Sequence, residues 1–333
     1  MNTDHHTERG YRNPWPGAEP RGLRDVVRWS LERRRRELPP DPASGSVSIA
    51  QPTFADRARD GELSATWVGH STVLLQMGAV NLLTDPMWSE RASPVPFAGP
   101  RRFVEPAFSL DALPAIDVVL ISHNHYDHLD RSTVRALARR MDETEWVVPM
   151  GLARLLRGWG VNRVREVDWW QTVELRTAAG AASISSAPAQ HFSARGFWDR
   201  GRTLWCSWAV TAGGRRAFFA GDTAYHPEFA AIGERYGPFD LSMLPVGAYE
   251  PRWFMKTVHM NPPEALRAYA ELTGTRAGEL AMLPIHWGTF RLTDEAMQEP
   301  PAWTSQLWSE AGYDRGQLWL LEHGETRRML ASR

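Results

Sequence analysis

Six residues, His123-Asn124-His125-Tyr126-Asp127-His128, bring together three imidazoles and a carboxylate. They follow, after Ser122, the apolar run Val118-Val119-Leu120-Ile121. An apolar run of that length bounded by polar residues reads as a buried strand. The polar residues then fall on the loop at its C-terminal end, where layered α/β proteins gather their ligand groups. Alternate side chains of extended backbone point the same way, so His123 and His125 can reach one centre. Asp127 and His128 come after the chain turns and can serve a second. Neutral imidazole and carboxylate donors suit a divalent metal of nitrogen and oxygen preference, zinc first. The bland alternative is a solvated histidine-rich loop.

The chain around this stretch has 333 residues, 43% of them hydrophobic and 23% charged. That is globular composition, enough for one large core or two domains. No boundary is visible after residue 60, so the expectation is an N-terminal arm over 1–60 and one domain over 61–333. The net charge of -1 supplies no field to draw in nucleic acid. Cys206 is the single cysteine, which rules out an intrachain disulfide and a zinc ribbon. With a polar start unlike a signal peptide and no run of 18 apolar residues, a cytoplasmic protein is expected. The 16 tryptophans suit the core first, and an aromatic pocket or lipid interface second.

Residues 1–20 read as an irregular arm holding the rigid piece Asn13-Pro14-Trp15-Pro16. Residues 22–38 read as a helix with an incomplete apolar stripe, Leu23, Val26, Val27, Leu31 and Leu38. Its other face carries Arg24, Arg28 and the run Arg33, Arg34, Arg35 and Arg36. Such a helix either packs on the core with a solvated arginine face or lies on the anionic inner face of a membrane. Residues 39–60 show no period and read as a linker.

Beyond residue 60 the chain alternates strands and helices. Strands are expected at 65–70, 72–76, 80–84, 117–122, 146–149, 164–167, 172–177, 181–187, 203–211, 216–220, 241–245, 280–285 and 317–322. Helices are expected from Ser132 as cap to 141, and at 152–159, 226–236, 262–272 and 302–311. Residues 86–108, with Pro94, Pro96, Pro100 and Pro106, form a long loop, a length usually functional or disordered. Paired strand runs alternating with helices imply an α+β chain of two mixed sheets sandwiched by helices.

Three more strand ends carry metal-type residues: His191, Asp222 and His286. Ligands from separate strand ends at one sheet edge make a composite site. In this pattern, His123-x-His125-x-Asp127-His128 with distant His191, Asp222 and His286, the chain resembles the metallo-β-lactamase superfamily. That resemblance implies an αβ/βα sandwich with a one- or two-metal site. Within the superfamily, the patches at 13–16, from Trp67-Val68-Gly69-His70-Ser71 to Asp85-Pro86, and at 221–225 resemble the N-acylphosphatidylethanolamine-hydrolysing phospholipase D family. So do those at 249–256, 285–290 and 323–325.

The resemblance implies two zinc ions: His123, His125 and His191 on the first, Asp127, His128 and His286 on the second, and Asp222 bridging. It implies a metal-bridging hydroxide attacking phosphorus of an N-acylphosphatidylethanolamine-like phospholipid, with Asp127 and Asp222 as the catalytic carboxylates and Asp127 able to take up a proton. It also implies a homodimer. Among the outer residues, His259 and His323 are candidates to line the substrate pocket. His70 either buttresses a ligand or is a satisfied core histidine. Asp85 either holds the metal loop or caps a turn. His5, His6 and His226 are expected at the surface. The competing readings are a lactonase or soluble phosphodiesterase on the same fold, and a non-enzymatic membrane-surface protein with a vestigial site.

Overall fold

The chain opens with a hairpin of β1 (His6–Thr7) and β2 (Gly10–Tyr11), followed by α1 (Leu23–Arg34). This is a computed structural model, and it describes residues 4–43, 45–196 and 198–330. The first sheet begins as an antiparallel meander of β3 (Leu63–Gly69), β4 (Thr72–Met77) and β5 (Val80–Thr84). It continues with the parallel strands β6 (Val118–Leu120), β7 (Glu145–Pro149) and β8 (Val164–Val167). Helices α2 (Arg131–Arg140) and α3 (Ala153–Arg157) cross between these parallel strands.

The second sheet mirrors the first. Strands β9 (Thr172–Thr177), β10 (Gly180–Ala187), β11 (Ser207–Ala212) and β12 (Arg215–Phe219) are antiparallel. After α4 (Phe229–Tyr236), β13 (Leu241–Pro245) is added in parallel. After α5 (Arg252–Met255) and α6 (Pro262–Thr273), β14 (Ala281–Ile285) follows, also in parallel. The chain ends through α7 (Glu299–Glu310) and β15 (Thr326–Met329), which returns to pair with β3.

Single-residue alternation decides which layer each strand feeds. In β6, Val118 and Leu120 enter the core between the sheets. Val119 and the following Ile121 face the helix layer with Val134 and Leu137 of α2. Leu82 and Leu83 of β5 divide the same way. A strand covered on both sides reads as continuous apolar sequence, and all seven residues of β3 are buried. The opposite outer layer packs Phe229 and Ile232 of α4, Tyr269 and Leu272 of α6 and Trp308 of α7 on Phe218 and Leu244. The result is the α+β sandwich expected from sequence, with helices outside both mixed sheets. Among the described residues no helix is long and apolar enough to cross a membrane.

Capping residues fix where the helices begin. Asn261 accepts from Glu264 N–H, Glu264 returns the bond, and Pro262 fills the first turn of α6. The cap of α2 is Asp130 rather than the expected Ser132, because its carboxylate accepts from both Ser132 and Thr133 N–H. The strand expected at 317–322 is not one. Trp319 and Leu321 are buried as their spacing suggests. Only Leu318 forms a bridge, to Met282, and the last ladder lies at β15 instead.

The N-terminal segment departs most from expectation. Helix α1 has no buried residue. Leu23, Val27 and Leu31 are 76%, 52% and 49% exposed, so its apolar stripe does not cover core. The helix is held instead by Trp29, which donates to Asp294 at 2.9 Å and stacks on Phe254 at 5.0 Å. Arg33, from the arginine run, pairs with Asp294 at 3.1 Å. His5 and His226, expected at the surface, are each 1% exposed, whereas His6 is exposed. His226 is sandwiched between Trp15 and Phe229 at centroid distances of 4.7 and 4.2 Å.

Burial holds the His226 imidazole neutral, with its pKa pushed down from 6.5 to about 3. The unfolded chain binds a proton there that the folded chain refuses. Stability present above about pH 6.5 is therefore lost as pH falls toward 3. Replacing His226 with Phe should remove a few kcal/mol of this acid sensitivity. The check is chemical denaturation of both proteins at neutral pH and near pH 4: the difference between them should widen in acid.

Candidate metal centre

Every side chain of the His-rich stretch sits at one edge of the sandwich because β6 ends there, and the ends of β10, β12 and β14 meet it. His191 follows β10, Asp222 follows β12 and His286 follows β14. Two strand ends are pressed together by Gly221. It sits at φ 59°, and a Cβ there would stand 2.4 Å from that of Ser122. Only glycine permits so close an approach at that conformation. His70, Asp85 and His286 also carry positive φ, at 55°, 32° and 61°. Non-glycine residues held there store strain, which clusters at functional sites.

Seven residues converge. His123 Nε2 and His191 Nε2 lie 2.9 and 3.1 Å from His125 Nδ1. Asp222 Oδ2 faces this trio, 3.8 Å from His123 Nε2 and 3.7 Å from His191 Nε2. The same oxygen is 3.1 Å from His128 Nε2, and Oδ1 is 3.1 Å from His286 Nε2. Asp127 Oδ2 closes the second group, 3.3 Å from His128 Nε2 and 3.5 Å from His286 Nε2. Donors held about 2.0–2.1 Å from one tetrahedral cation stand about 3.3 Å apart. The geometry is thus two ligand groups, His123-His125-His191 and Asp127-His128-His286, with Asp222 between them.

The outer ring fixes which nitrogen points inward. His191 Nδ1 meets the carbonyl of Val258 at 2.9 Å, so its proton is there and the Nε2 lone pair faces the centre. Asp85, 0% exposed, takes His128 Nδ1 at 2.7 Å. Its carboxylate also accepts from Ser122 N–H and Oγ–H at 2.7 and 2.6 Å. Asp85 therefore holds the metal loop and orients a ligand. His70 Nε2 lies 2.9 Å from Asp127 Oδ2, and the residue joins the second group as a buttress.

Charge tells the same story as geometry. Burial pushes the imidazoles of His123, His125, His191 and His70 down, those of His125 and His70 to about 3. Burial also opposes ionising Asp127 and Asp222, yet the neighbouring imidazoles hold both well below the carboxylate range. In turn, against the pull of burial, the carboxylates push His128 far up and His286 to about 9. Two carboxylates, Asp222 buried and Asp127 largely so, demand positive charge here. His128 Nε2, His286 Nε2 and Asp222 Oδ1 have no hydrogen-bond partner although buried. Divalent cations fit both requirements.

A cavity of about 460 Å³ opens on the centre. His125, Asp127, His191, Asp222 and His286 form its floor, and Phe192, Phe254, Met255, Val258 and Leu292 its walls. Leu23, Val26 and Trp29 of α1 form its mouth, with Arg21 and Arg200. His259 lines it, as expected, stacked 5.2 Å from His286 and with a buried, unpartnered Nδ1. His323 does not. It is 2% exposed, lies against Trp67 at 4.4 Å and pairs with Thr289 Oγ1 at 3.0 Å, while Thr289 accepts from His70 N–H. Its place is behind His70, not in the cavity.

Residues 80–287 match the family model described as "Beta-lactamase superfamily domain". The chain belongs to the β-lactamase superfamily. It is 38% identical over 294 residues to N-acyl-phosphatidylethanolamine-hydrolyzing phospholipase D 1 of Caenorhabditis elegans, covering 85% of this chain and 81% of that one. It is 43% identical over 280 residues to an uncharacterized protein of Mycobacterium tuberculosis, covering 84% and 71%. The fold is also that of Igni18, a metallo hydrolase of Ignicoccus hospitalis, with TM-score 0.59 at 21% identity over 81% and 99% of the chains. As a superfamily member with these clusters, the protein is a metal-dependent hydrolase.

Two contributors to the superfamily site lay outside the sequence reading. Asn13 donates to the carbonyl of His191 at 2.9 Å and accepts from Trp205 Nε1 at 3.2 Å. It lies in the Asn13-Pro14-Trp15-Pro16 piece, a rigid patch of the family resemblance with no role of its own assigned from sequence. The cavity-facing residues of α1 were visible as apolar but pointed equally to core. For the ring around the ligands, replacing Asp85 with Asn should weaken metal retention about 10- to 100-fold, by loosening His128. Competition with a coloured chelator measures it, and unchanged affinity would show that His128 needs no such support.

Proposed function

We propose that the protein is a binuclear zinc phosphodiesterase that cleaves N-acylphosphatidylethanolamine-like phospholipids in the phospholipase D manner. One observation carries the reading: the two ligand groups sharing Asp222 lie at the floor of an apolar cavity whose mouth is an exposed apolar helix. A soluble, polar diester would have no use for such walls. Acyl chains match them, and the C. elegans relative is named for the same substrate class.

His123, His125 and His191 would hold one cation, Asp127, His128 and His286 the other, and Asp222 both. Cations bound there supply Lewis acidity toward phosphoryl oxygens and bring the pKa of bound water toward about 7. The chain's own residues do the rest. Asp222, with a side chain 2% exposed, is a fixed positioning group. Asp127, at 13%, faces the cavity and is placed to take up the proton that leaves attacking water. Phe192, Val258 and Leu292 keep solvent from the reacting end and seat the chains. Arg21 and Arg200, at the cavity wall, suit the anionic phosphate.

The same reading gives α1 its role. Leu23, Val27 and Leu31 recur every four residues on the exposed face, and Trp198, 91% exposed, lies next to the cavity-lining segment of Gly196 and Arg200. An apolar ridge with arginines beside it suits the surface of an anionic bilayer. Of the arginine run, Arg33 is engaged with Asp294, which leaves Arg34, Arg35 and Arg36 for lipid.

Purified, metal-loaded protein should release N-acylethanolamine from vesicles containing N-acylphosphatidylethanolamine, and Asp222→Ala should lower turnover by about a thousandfold. Full metal loading with no release, alongside turnover of a lactone or cyclic nucleotide, would sink the substrate claim. A double change of Val27 and Leu31, which lie outside the cavity, to Ser should weaken vesicle binding and turnover on vesicles about tenfold, and spare a short-chain micellar substrate. Equal binding of both forms to anionic vesicles would remove the membrane role and leave the chemistry standing.

A further inference from the structure

The histidine pair at the start of the chain is not absorbed by the hydrolytic centre. In a regular strand, neighbouring side chains point to opposite faces. His5, in the turn before β1, is not bound by that alternation and lies beside His6, the first residue of β1. Their ring centroids are 4.4 Å apart, tilted by 57°, and both turn to one carboxylate. His5 Nε2 lies 2.8 Å from Asp168 Oδ1, and His6 Nε2 lies 2.7 Å from Asp168 Oδ2. The three ligand atoms are all within 4.8 Å of one another.

We propose that His5, His6 and Asp168 form an accessory site for a divalent metal of the zinc class, clamping the N-terminal hairpin to the sandwich. The donor set, two imidazole nitrogens and a carboxylate, is of the borderline type that zinc, nickel and copper favour over magnesium or calcium. Donors around zinc stand about 3.3 Å apart, so each imidazole–carboxylate spacing would open by about half an ångström. One wall is dry: the His5 side chain is 2% exposed and stacks on Trp169 at 4.3 Å. Its Nδ1 is buried without a partner. The other wall is open, with the His6 side chain 50% exposed, and leaves room for water to complete the shell. Asp168 Oδ1 also accepts from Trp169 N–H at 2.8 Å, which fixes the carboxylate toward the pair.

The site has a mechanical consequence. Asp168 belongs to the turn between β8 and β9, far in sequence from the hairpin. Beyond β2 the arm runs through Tyr11, whose N–H donates to Gly201 at 2.7 Å, to Asn13 on the His191 carbonyl. A cation at the hairpin would therefore anchor the segment that backs one ligand of the hydrolytic centre, without belonging to it.

The test is metal per chain after chelator stripping and reloading at micromolar zinc, for the full-length wild type, His6→Ala and Asp168→Asn. The wild type should hold one zinc more than either variant, and both variants should keep the complement of the hydrolytic centre. His6 is exposed, so His6→Ala remains informative if Asp168→Asn fails to fold. Crystals at the same zinc level should give an anomalous peak between His5, His6 and Asp168. Equal metal content in wild type and His6→Ala, or no peak at that position, overturns the proposal and leaves a metal-free ion-paired clasp.

Discussion

Two carboxylates, one buried and one open only to the cavity, set the terms for this structure. Asp127 and Asp222 lie among five imidazoles at the edge of the sandwich, and a buried anion is tolerable only beside compensating positive charge. Without cations that demand falls on His128 and His286, which are driven up in pKa against the pull of burial. A cation held among these side chains would meet it instead. The strained backbone at His70, Asp85 and His286 and the glycine contact at Gly221 follow from forcing four strand ends into one charged knot.

The sandwich is what makes that knot affordable. Two sheets with an apolar layer between them and helices outside fix the positions of β6, β10, β12 and β14, and so of the residues that follow them. The ring behind them, Asp85, Ser122, Thr289 and Val258, converts the stiffness of the sheets into the orientation of particular nitrogens.

Much of this was legible in the sequence, for identifiable reasons. Strands buried on both faces read as largely apolar runs, so β5 and β13 match their expected bounds, while β8 and β9 match theirs although each carries exposed charged residues. The His-x-His-x-Asp-His spacing announced its own convergence because it sits on one short loop. What sequence could not give were the long-range partners. The strand at β15 is short and arginine-rich and owes its existence to β3. His323 looked like a pocket residue beside a glycine, but it is spent on Thr289 and Trp67. His5 and His226 carry polar rings that stack on aromatic neighbours, and no local pattern marks that kind of burial.

Asn13 gives the arm a weight out of proportion to its look. Its amide spans two elements that never meet in sequence, tying the carbonyl of His191 to the indole of Trp205. A protein trimmed of its first score of residues for easier handling would retain all seven metal-facing side chains. It would also lose the backing of one of them, and its enzymology would describe a different molecule.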